Sequence, residues 1–196
     1  MLHTYHTADG MRLEGVTDIL SGELGGFDGF PIEAALRGTD VHNAIQYYNE
    51  KDLDESTLTD EVMSYLDCFK RAKKRHKIKV IQNEIMRYHP TYLYAGRCDA
   101  VVEIDGVMGV IDYKIGAPQG AKDRWQLAAY MELLKAEIPN LEGRWNLYLK
   151  PEKYDNGCGF KLLPHTGPRD FAEFLALFTA YTIKKNEGYI KEKRRA

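Results

Sequence analysis

The sequence predicts a fold in the α/β to α+β range, with a mixed central β-sheet flanked by helices. Helical segments with apolar faces alternate with short β-branched runs, which is the pattern of helices packed on a sheet. An Asp-Gly pair at 105–106, between β-branched runs, indicates a tight hairpin within that sheet. Because 196 residues suffice for one sizeable core, we expect a single domain over residues 1–196.

The first half of the chain is assigned from turn and helix-start signals. Asp-Gly pairs and glycine clusters mark turns and loops, and proline suits the first residue of a helix. By these signals we expect a short hairpin over 1–20 with its turn at Asp9-Gly10, a glycine-rich loop over 21–30, a helix that starts at Pro31, reaches Glu50 and is interrupted by Gly38, and a second helix from Leu58 to about Arg75.

The second half carries most of the predicted sheet. Alternating or β-branched runs indicate strands, and an apolar face formed by Trp125, Ala128, Ala129, Leu133 and Leu134 indicates a helix. The expected order is a strand from Ile78 to Tyr88, two hairpin strands around Asp105-Gly106, a helix from Asp123 to Glu137, strands from Arg144 to Lys150 and from Gly159 to Leu163, and a final helix from Asp170 to Asn186.

Composition narrows the class of protein. A hydrophobic content of 44%, a net charge of −2 and no apolar run near the ~20 residues of a membrane span are typical of a soluble protein without a membrane partner. The N-terminus lacks the pattern of a secretory signal, so we expect a cytoplasmic location. The cysteines Cys68, Cys98 and Cys158 are scattered, which argues against a disulfide framework, a zinc ribbon or an iron–sulfur cluster.

Positive charge is concentrated in two segments. Residues 70–79, KRAKKRHKIK, contain seven Lys or Arg residues, and residues 183–196 contain six more. Such segments can contact nucleic-acid phosphates, and the alternative is a solvated helix face and a frayed tail. The favoured interpretation of each segment alone is the solvated one.

The hairpin at 105–106 gathers charged residues at one place. If Asp105-Gly106 forms a two-residue loop, Asp99 faces Asp112, and Lys114 points to the same face as Asp112. Two opposed carboxylates destabilise a sheet unless positive charge lies between them. Carboxylates are hard ligands suited to Mg²⁺ or Mn²⁺, so a divalent cation beside an ammonium is one interpretation, and solvated surface acids are the other.

Four ordered motifs between residues 38 and 130 resemble a known family. They are Gly38-Thr39-Asp40-Val41-His42, Glu84 on the strand before the hairpin, Gly96 to Asp99 followed by Asp112-Tyr113-Lys114, and Gln126-Leu127-Ala128-Ala129-Tyr130. In this order they resemble the G-x-x-x-H, acidic, G-x-x-D…D-x-K and Q-x-x-x-Y motifs of the PD-(D/E)XK nucleases, in the RecB-like exonuclease branch. The resemblance implies a restriction-endonuclease-like core and a nuclease of the phage or recombination type.

The resemblance also implies roles for individual residues. Asp99, Asp112, the Tyr113 carbonyl and His42 would hold one or two Mg²⁺ or Mn²⁺ ions, and Lys114 would place the attacking water. Glu84 would bind a metal-bound water or a second cation, with Gln126 and Tyr130 supporting the site and the DNA backbone and Arg97 reaching a phosphate. Each has a structural alternative: a packed histidine or tyrosine, an edge-strand lysine, or an exposed acid or arginine.

The expected function is therefore a metal-dependent deoxyribonuclease, most simply an exonuclease. It would hydrolyse phosphodiester bonds in DNA recombination, repair or phage DNA metabolism in a bacterial or phage-infected cell. DNA is the expected partner, and the resemblance leaves room for a single-strand annealing or recombination protein. Two alternatives stay open: an inactive nucleic-acid-binding subunit, and a structure-specific endonuclease of the resolvase kind on the same fold.

Overall fold

The computed structural model describes residues 4–24, 32–151 and 159–190, and the statements below refer to these residues. Their strands and helices alternate along most of the chain. In order they are β1 (Tyr5–His6), β2 (Arg12–Gly15), α1 (Val16–Leu24), α2 (Ile32–Glu50), a short 3₁₀ turn (Glu55–Thr57), α3 (Asp60–Arg75), β3 (Lys79–Tyr88), β4 (Tyr94–Ile104), β5 (Val107–Lys114), α4 (Ala121–Leu134), β6 (Gly143–Leu149), β7 (Phe160–Pro164) and α5 (Asp170–Asn186).

The described strands form one mixed sheet. Its path runs β1-β2-β4-β5-β6-β7, and β3 pairs with β4 beside that path. The pairs β2–β4 and β5–β6 are parallel, whereas the other four pairs are antiparallel. The parallel β5–β6 pair requires a crossover, which α4 supplies.

Helices cover both faces of this sheet. Alternate residues of β4 and β5 point to opposite faces, so Ile111 and Tyr113 join a core with α2 and α3, whereas Val110 joins a second core with α1, α4 and α5. Of the apolar face predicted for α4, Ala128, Ala129, Leu133 and Leu134 are buried, whereas Trp125 is only partly buried. The predicted fold class, a mixed sheet flanked by helices and consistent with a restriction-endonuclease-like core, is confirmed.

The central hairpin has the register that the sequence predicts. Asp105 and Gly106 have φ angles of 51° and 80°, which fits the two-residue turn that hairpins favour. The paired residues run from Ile104↔Val107 to Ala100↔Ile111, and the same register places Asp99 next across from Asp112. Because side chains alternate along a strand, Val110, Asp112 and Lys114 share the face that α4 covers.

Several predicted boundaries differ from the structure. Helix α1 follows β2 directly and occupies residues 16–24, where the sequence indicates the end of the hairpin segment and the start of a loop. Helix α2 continues through Gly38, because Val41, Ala44 and Ile45 anchor it in the core and offset the roughly 1 kcal/mol helix cost of glycine. Helix α4 begins two residues earlier and ends three residues earlier than predicted. Pro31, Cys158 and residues 25–30 of the predicted loop lie outside the described residues.

The basic segment at residues 70–79 lies at the far end of the hairpin from Lys114. His76, just after α3, is close enough to the turn residue Asp105 for that carboxylate to act on its pKa, which burial lowers overall. Lys70 and Lys73 are engaged with Glu55 and Asn49. This placement favours a solvated helix face over a contact at the candidate site. None of the described helices has the length and apolar character needed to cross a membrane.

Candidate metal centre

Three ligand-type side chains from three elements converge at one place, and we call them the acceptor cluster: His42 of α2, Glu84 of β3 and Asp99 of β4. One ligand atom from each lies within 4.8 Å of the others. His42 Nδ1 is 3.5 Å from Asp99 Oδ1, and the backbone N–H of Tyr113 donates to Asp99 Oδ2 over 2.7 Å. One imidazole from α2 and two carboxylates from the sheet thus converge on a single point.

Glu84 reaches this point through an unusual backbone conformation. Its φ of 50° is left-handed, although its neighbours Asn83 and Ile85 pair regularly with Ala100 and Cys98 of β4. For a residue with a side chain, such a conformation costs on the order of 1–3 kcal/mol, and it persists where the surrounding structure enforces it. Strain of this kind is concentrated at functional sites. We therefore interpret the left-handed backbone as the feature that directs the Glu84 side chain toward Asp99.

Burial and close contact shift the pKa of each member of the acceptor cluster. Burial, together with the Asp99 carboxylate, raises the pKa of Glu84 to about 7. Burial lowers the pKa of His42, but Asp99 outweighs it and raises that pKa to about 9. Asp99 itself is buried, yet the His42 charge and the Tyr113 N–H hold its pKa below the usual range. The cluster therefore holds a proton where a cation could bind instead.

A second set of side chains surrounds Lys114, and we call it the lysine cluster: Lys114, Asp112, Gln126 and Tyr130. The Lys114 ammonium lies 2.8 Å from Asp112 Oδ2 and donates to Gln126 Oε1 over 2.6 Å. Gln126 then donates to the Tyr130 hydroxyl over 3.0 Å. Since Gln126 and Tyr130 are four residues apart on α4, they present one face to β5. The Q-x-x-x-Y pair thus fixes the position of the lysine.

Burial and charge act in opposite directions within the lysine cluster. Burial raises the pKa of Asp112, the Lys114 ammonium lowers it, and Asp99 raises it, with a net value of about 6. Burial lowers the pKa of Lys114, but Asp112 outweighs it and the net shift is upward. Lys114 is therefore an ammonium at neutral pH, suited to act as a cation rather than as a base.

The structure also brings polar residues to the site that the sequence does not single out. Asp123 accepts hydrogen bonds from Tyr148 Oη and from the backbone N–H of Gln119, and its Oδ1 lies 3.9 Å from Lys114 Nζ. Asn146 of β6 is fully buried and donates to Asp112 Oδ2 over 3.0 Å. A polar residue inside an otherwise apolar strand or helix face is the available signal, but only the three-dimensional register shows which partner it meets.

Gly96 shows why one motif glycine is required. A Cβ atom at Gly96 would lie 2.7 Å from Cε1 of the Tyr130 ring. The Tyr130 side chain can therefore pass over β4 and reach Gln126 only where β4 has no side chain. The glycine of the G-x-x-D motif and the tyrosine of the Q-x-x-x-Y motif are two halves of one contact.

The remaining predicted site residues, Tyr113, Arg97 and Tyr130, differ in how closely they approach the two clusters. The N–H of Tyr113 contacts Asp99, while ligation by its carbonyl stays a prediction. Arg97 pairs with Met86 of β3, and its Nε lies 2.8 Å from Glu84 Oε2, so it stands at the rim of the acceptor cluster. Tyr130 is only 5% exposed, which favours a supporting role over direct contact with nucleic acid.

The donor set of the acceptor cluster fits a divalent cation. Its carboxylates are hard oxygen donors, and its imidazole also suits Mn²⁺. Asp112 is the fourth candidate, but its Oδ2 is already held by Lys114 and Asn146, which leaves Oδ1 for a ligand. The cluster therefore combines Glu84 with His42 and Asp99, although the sequence alone assigns Glu84 only a secondary place.

Comparison with known proteins identifies the fold. A crystal structure of a candidate exonuclease from Eubacterium rectale is similar, with a TM-score of 0.58 and 13% identity over 91% of this chain and 83% of that one. A weaker similarity, with a TM-score of 0.45 and 10% identity, relates 90% of this chain to 89% of LHK-Exo in complex with dAMP. No protein-family model and no curated protein matches the chain. The first similarity shows a shared fold.

Proposed function

We propose that this protein is a metal-dependent DNA nuclease of the PD-(D/E)XK superfamily, in its RecB-like branch, and that it acts as an exonuclease. One observation carries the proposal: a cluster of one imidazole and two carboxylates lies beside an ammonium held by Asp112 and Gln126. The shared fold with a protein named as a candidate exonuclease supports it.

The acceptor cluster is the proposed cation site. His42, Glu84 and Asp99 would hold Mg²⁺ or Mn²⁺, joined by Asp112 Oδ1 and the Tyr113 carbonyl. A bound divalent cation would supply Lewis-acid polarisation of a phosphate and a more acidic bound water. The protein's part is to keep Asp99 ionised through the Tyr113 N–H, while His42, whose proton is shared with Asp99 when no cation is bound, would release that proton to become a ligand.

Lys114 is the proposed catalytic cation. Its ammonium is held between Asp112 and Gln126, so it can stabilise charge on phosphoryl oxygens without first reorganising. Gln126 and Tyr130 would act on DNA through this lysine rather than by touching the backbone themselves. Arg97, 41% exposed along its side chain at the rim, would reach a phosphate once Glu84 turns to a cation.

Degradation of end-labelled linear DNA with Mg²⁺, Mn²⁺ or EDTA tests the proposal. We expect metal-dependent loss of full-length DNA that Lys114→Ala abolishes and that the exposed control Lys79→Ala, whose lysine pairs with Glu103, leaves intact. A circular single-stranded substrate separates the two cleavage modes, because an exonuclease requires an end. Cleavage of the circle would replace the exonuclease with an endonuclease, and DNA binding without cleavage under either metal would favour an inactive binding subunit.

A further inference from the structure

A chain of hydrogen bonds connects Asp112 through Asn146 to His165. Asn146 Nδ2 donates to Asp112 Oδ2 over 3.0 Å, and Asn146 Oδ1 lies 2.7 Å from His165 Nε2. Asn146 has no solvent exposure, and His165 is half-buried. A buried amide whose nitrogen and oxygen are both hydrogen-bonded has one orientation. These hydrogen bonds therefore hold the Asp112 carboxylate in a defined position.

Strand register builds this chain. Asp112 and Asn146 are Cα partners in the parallel β5–β6 pair, so their side chains stand side by side on one face. Asn146 is in turn the partner of Leu163 in β7, and His165 lies two residues further on, within diagonal reach of a long side chain. The N–H of His165 donates to the Arg144 carbonyl over 2.9 Å, which holds the backbone there as it leaves β7.

The chemistry of the chain fixes its direction. A carboxylate only accepts hydrogen bonds, so the Asn146 amide nitrogen must face Asp112 and the amide oxygen must face His165. The amide oxygen is also only an acceptor, so His165 Nε2 must carry the hydrogen. Asp112 thereby selects one orientation of Asn146 and one tautomer of a histidine that follows the last described strand of the sheet.

We infer that Asn146, oriented by His165, is a positioning residue that fixes the Asp112 carboxylate so that its Oδ1 faces the acceptor cluster. The inference rests on the proposed function, because it treats Asp112 as a cation ligand. Lys114 and Asn146 both contact Oδ2, so the carboxylate cannot rotate without breaking a hydrogen bond or an ion pair. Outer partners of this kind typically contribute about 10–100-fold to metal affinity.

The first test measures Mn²⁺ binding to the full chain by calorimetry. We expect Asn146→Ala to weaken binding roughly tenfold to a hundredfold and His165→Phe to weaken it by less. His89→Phe is the matched control, because His89 is also half-buried but accepts its hydrogen bonds from Thr91 and Tyr92 in the β3–β4 turn. The inference would be overturned if Asn146→Ala kept the wild-type Mn²⁺ affinity while Asp112→Ala lost it.

The second test reads the tautomer of His165 directly and needs no metal. Nitrogen-15 NMR of the wild type should show a protonated Nε2, and Asp112→Ala or Asn146→Ala should remove that bias, whereas the His89→Phe control leaves it unchanged. A wild-type His165 protonated only on Nδ1 would overturn the inference. If the wild type binds no Mn²⁺ at all, the proposed function fails. The tautomer of His165 then still shows whether Asp112 orients Asn146 and His165.

Discussion

The acceptor cluster and the lysine cluster lie side by side on the same sheet but differ in how their charges are satisfied. In the lysine cluster each charged or polar group named above has a partner: Lys114 meets Asp112 and Gln126, and Gln126 meets Tyr130. In the acceptor cluster two carboxylates and an imidazole face one another, and Glu84 retains a pKa near 7. The lysine cluster is satisfied by groups fixed in the fold, whereas the acceptor cluster is satisfied in part by a proton on His42 that a cation could replace.

The difference assigns separate tasks to the two regions. A group whose partners are all in place needs no ligand to hold its position, so the lysine cluster is preorganised. A group of facing acceptors is stabilised by whatever cation enters it, so the acceptor cluster should gain stability on binding. If the two clusters responded alike to metal, to substitution or to pH, they would not have separate tasks.

The largest expected effect is stabilisation of the acceptor cluster by metal. With Mn²⁺ at a hundred times its dissociation constant, the free energy of unfolding should rise by about 2.7 kcal/mol, measured by urea denaturation against the same protein in EDTA. Asp99→Asn should lose this gain, whereas Lys79→Ala should keep it. An equal rise in Asp99→Asn would place the stabilising site elsewhere.

A pair of glycine substitutions tests the packing beneath the lysine cluster. Gly96→Ala forces a Cβ atom against the Tyr130 ring and should destabilise the fold by about 1–3 kcal/mol. Gly38→Ala meets nothing within 4 Å and should stabilise helix α2 by about 0.4–1 kcal/mol. Thermal unfolding measures the stability of both variants. Equal changes of the same sign would refute the contact between Gly96 and Tyr130.

The smallest expected effect is a change in pH dependence. The folded pKa of Glu84, about 7, lies above its unfolded value, so its contribution to stability is present below about pH 4.5 and lost as pH rises through 7. In metal-free protein, the stability of the wild type relative to Glu84→Gln should therefore fall between about pH 4.5 and 7. Urea unfolding across this range measures it, and parallel pH curves for the two proteins would contradict it.

The sequence predicts the hairpin and the residues on its inner face because both depend on local rules. Asp105-Gly106 specifies the turn, the turn specifies the register, and the register places Asp112 and Lys114 on one face. The expected strands and the helices from α3 onward match the structure within a few residues, since their apolar patterns are strong. Helix α1 escapes prediction because it is only nine residues long and follows β2 without a break, so the helical spacing of Val16, Ile19 and Leu20 is too short to stand out from the strand before it.

Contacts between distant segments cannot be predicted in the same way. Nothing local indicates that the Gly96 backbone lies under the Tyr130 ring, or that Asn146 stands beside Asp112. The left-handed backbone of Glu84 is likewise invisible in a strand sequence that reads as regular. The first two contacts form only when α4 and β6 pack against the hairpin, and the Glu84 conformation is seen only in the folded sheet, so all three require the tertiary structure.

The most direct test of the two-region account is to measure Mn²⁺ binding and DNA cleavage in the same two variants. Asp99→Asn, in the acceptor cluster, should lose both metal binding and cleavage. Lys114→Ala, in the lysine cluster, should lose cleavage while keeping measurable Mn²⁺ binding, because it removes the proposed catalytic cation and no ligand, and Asn146 still holds Asp112 Oδ2. Loss of Mn²⁺ binding in Lys114→Ala to the same extent as in Asp99→Asn would contradict the division of tasks.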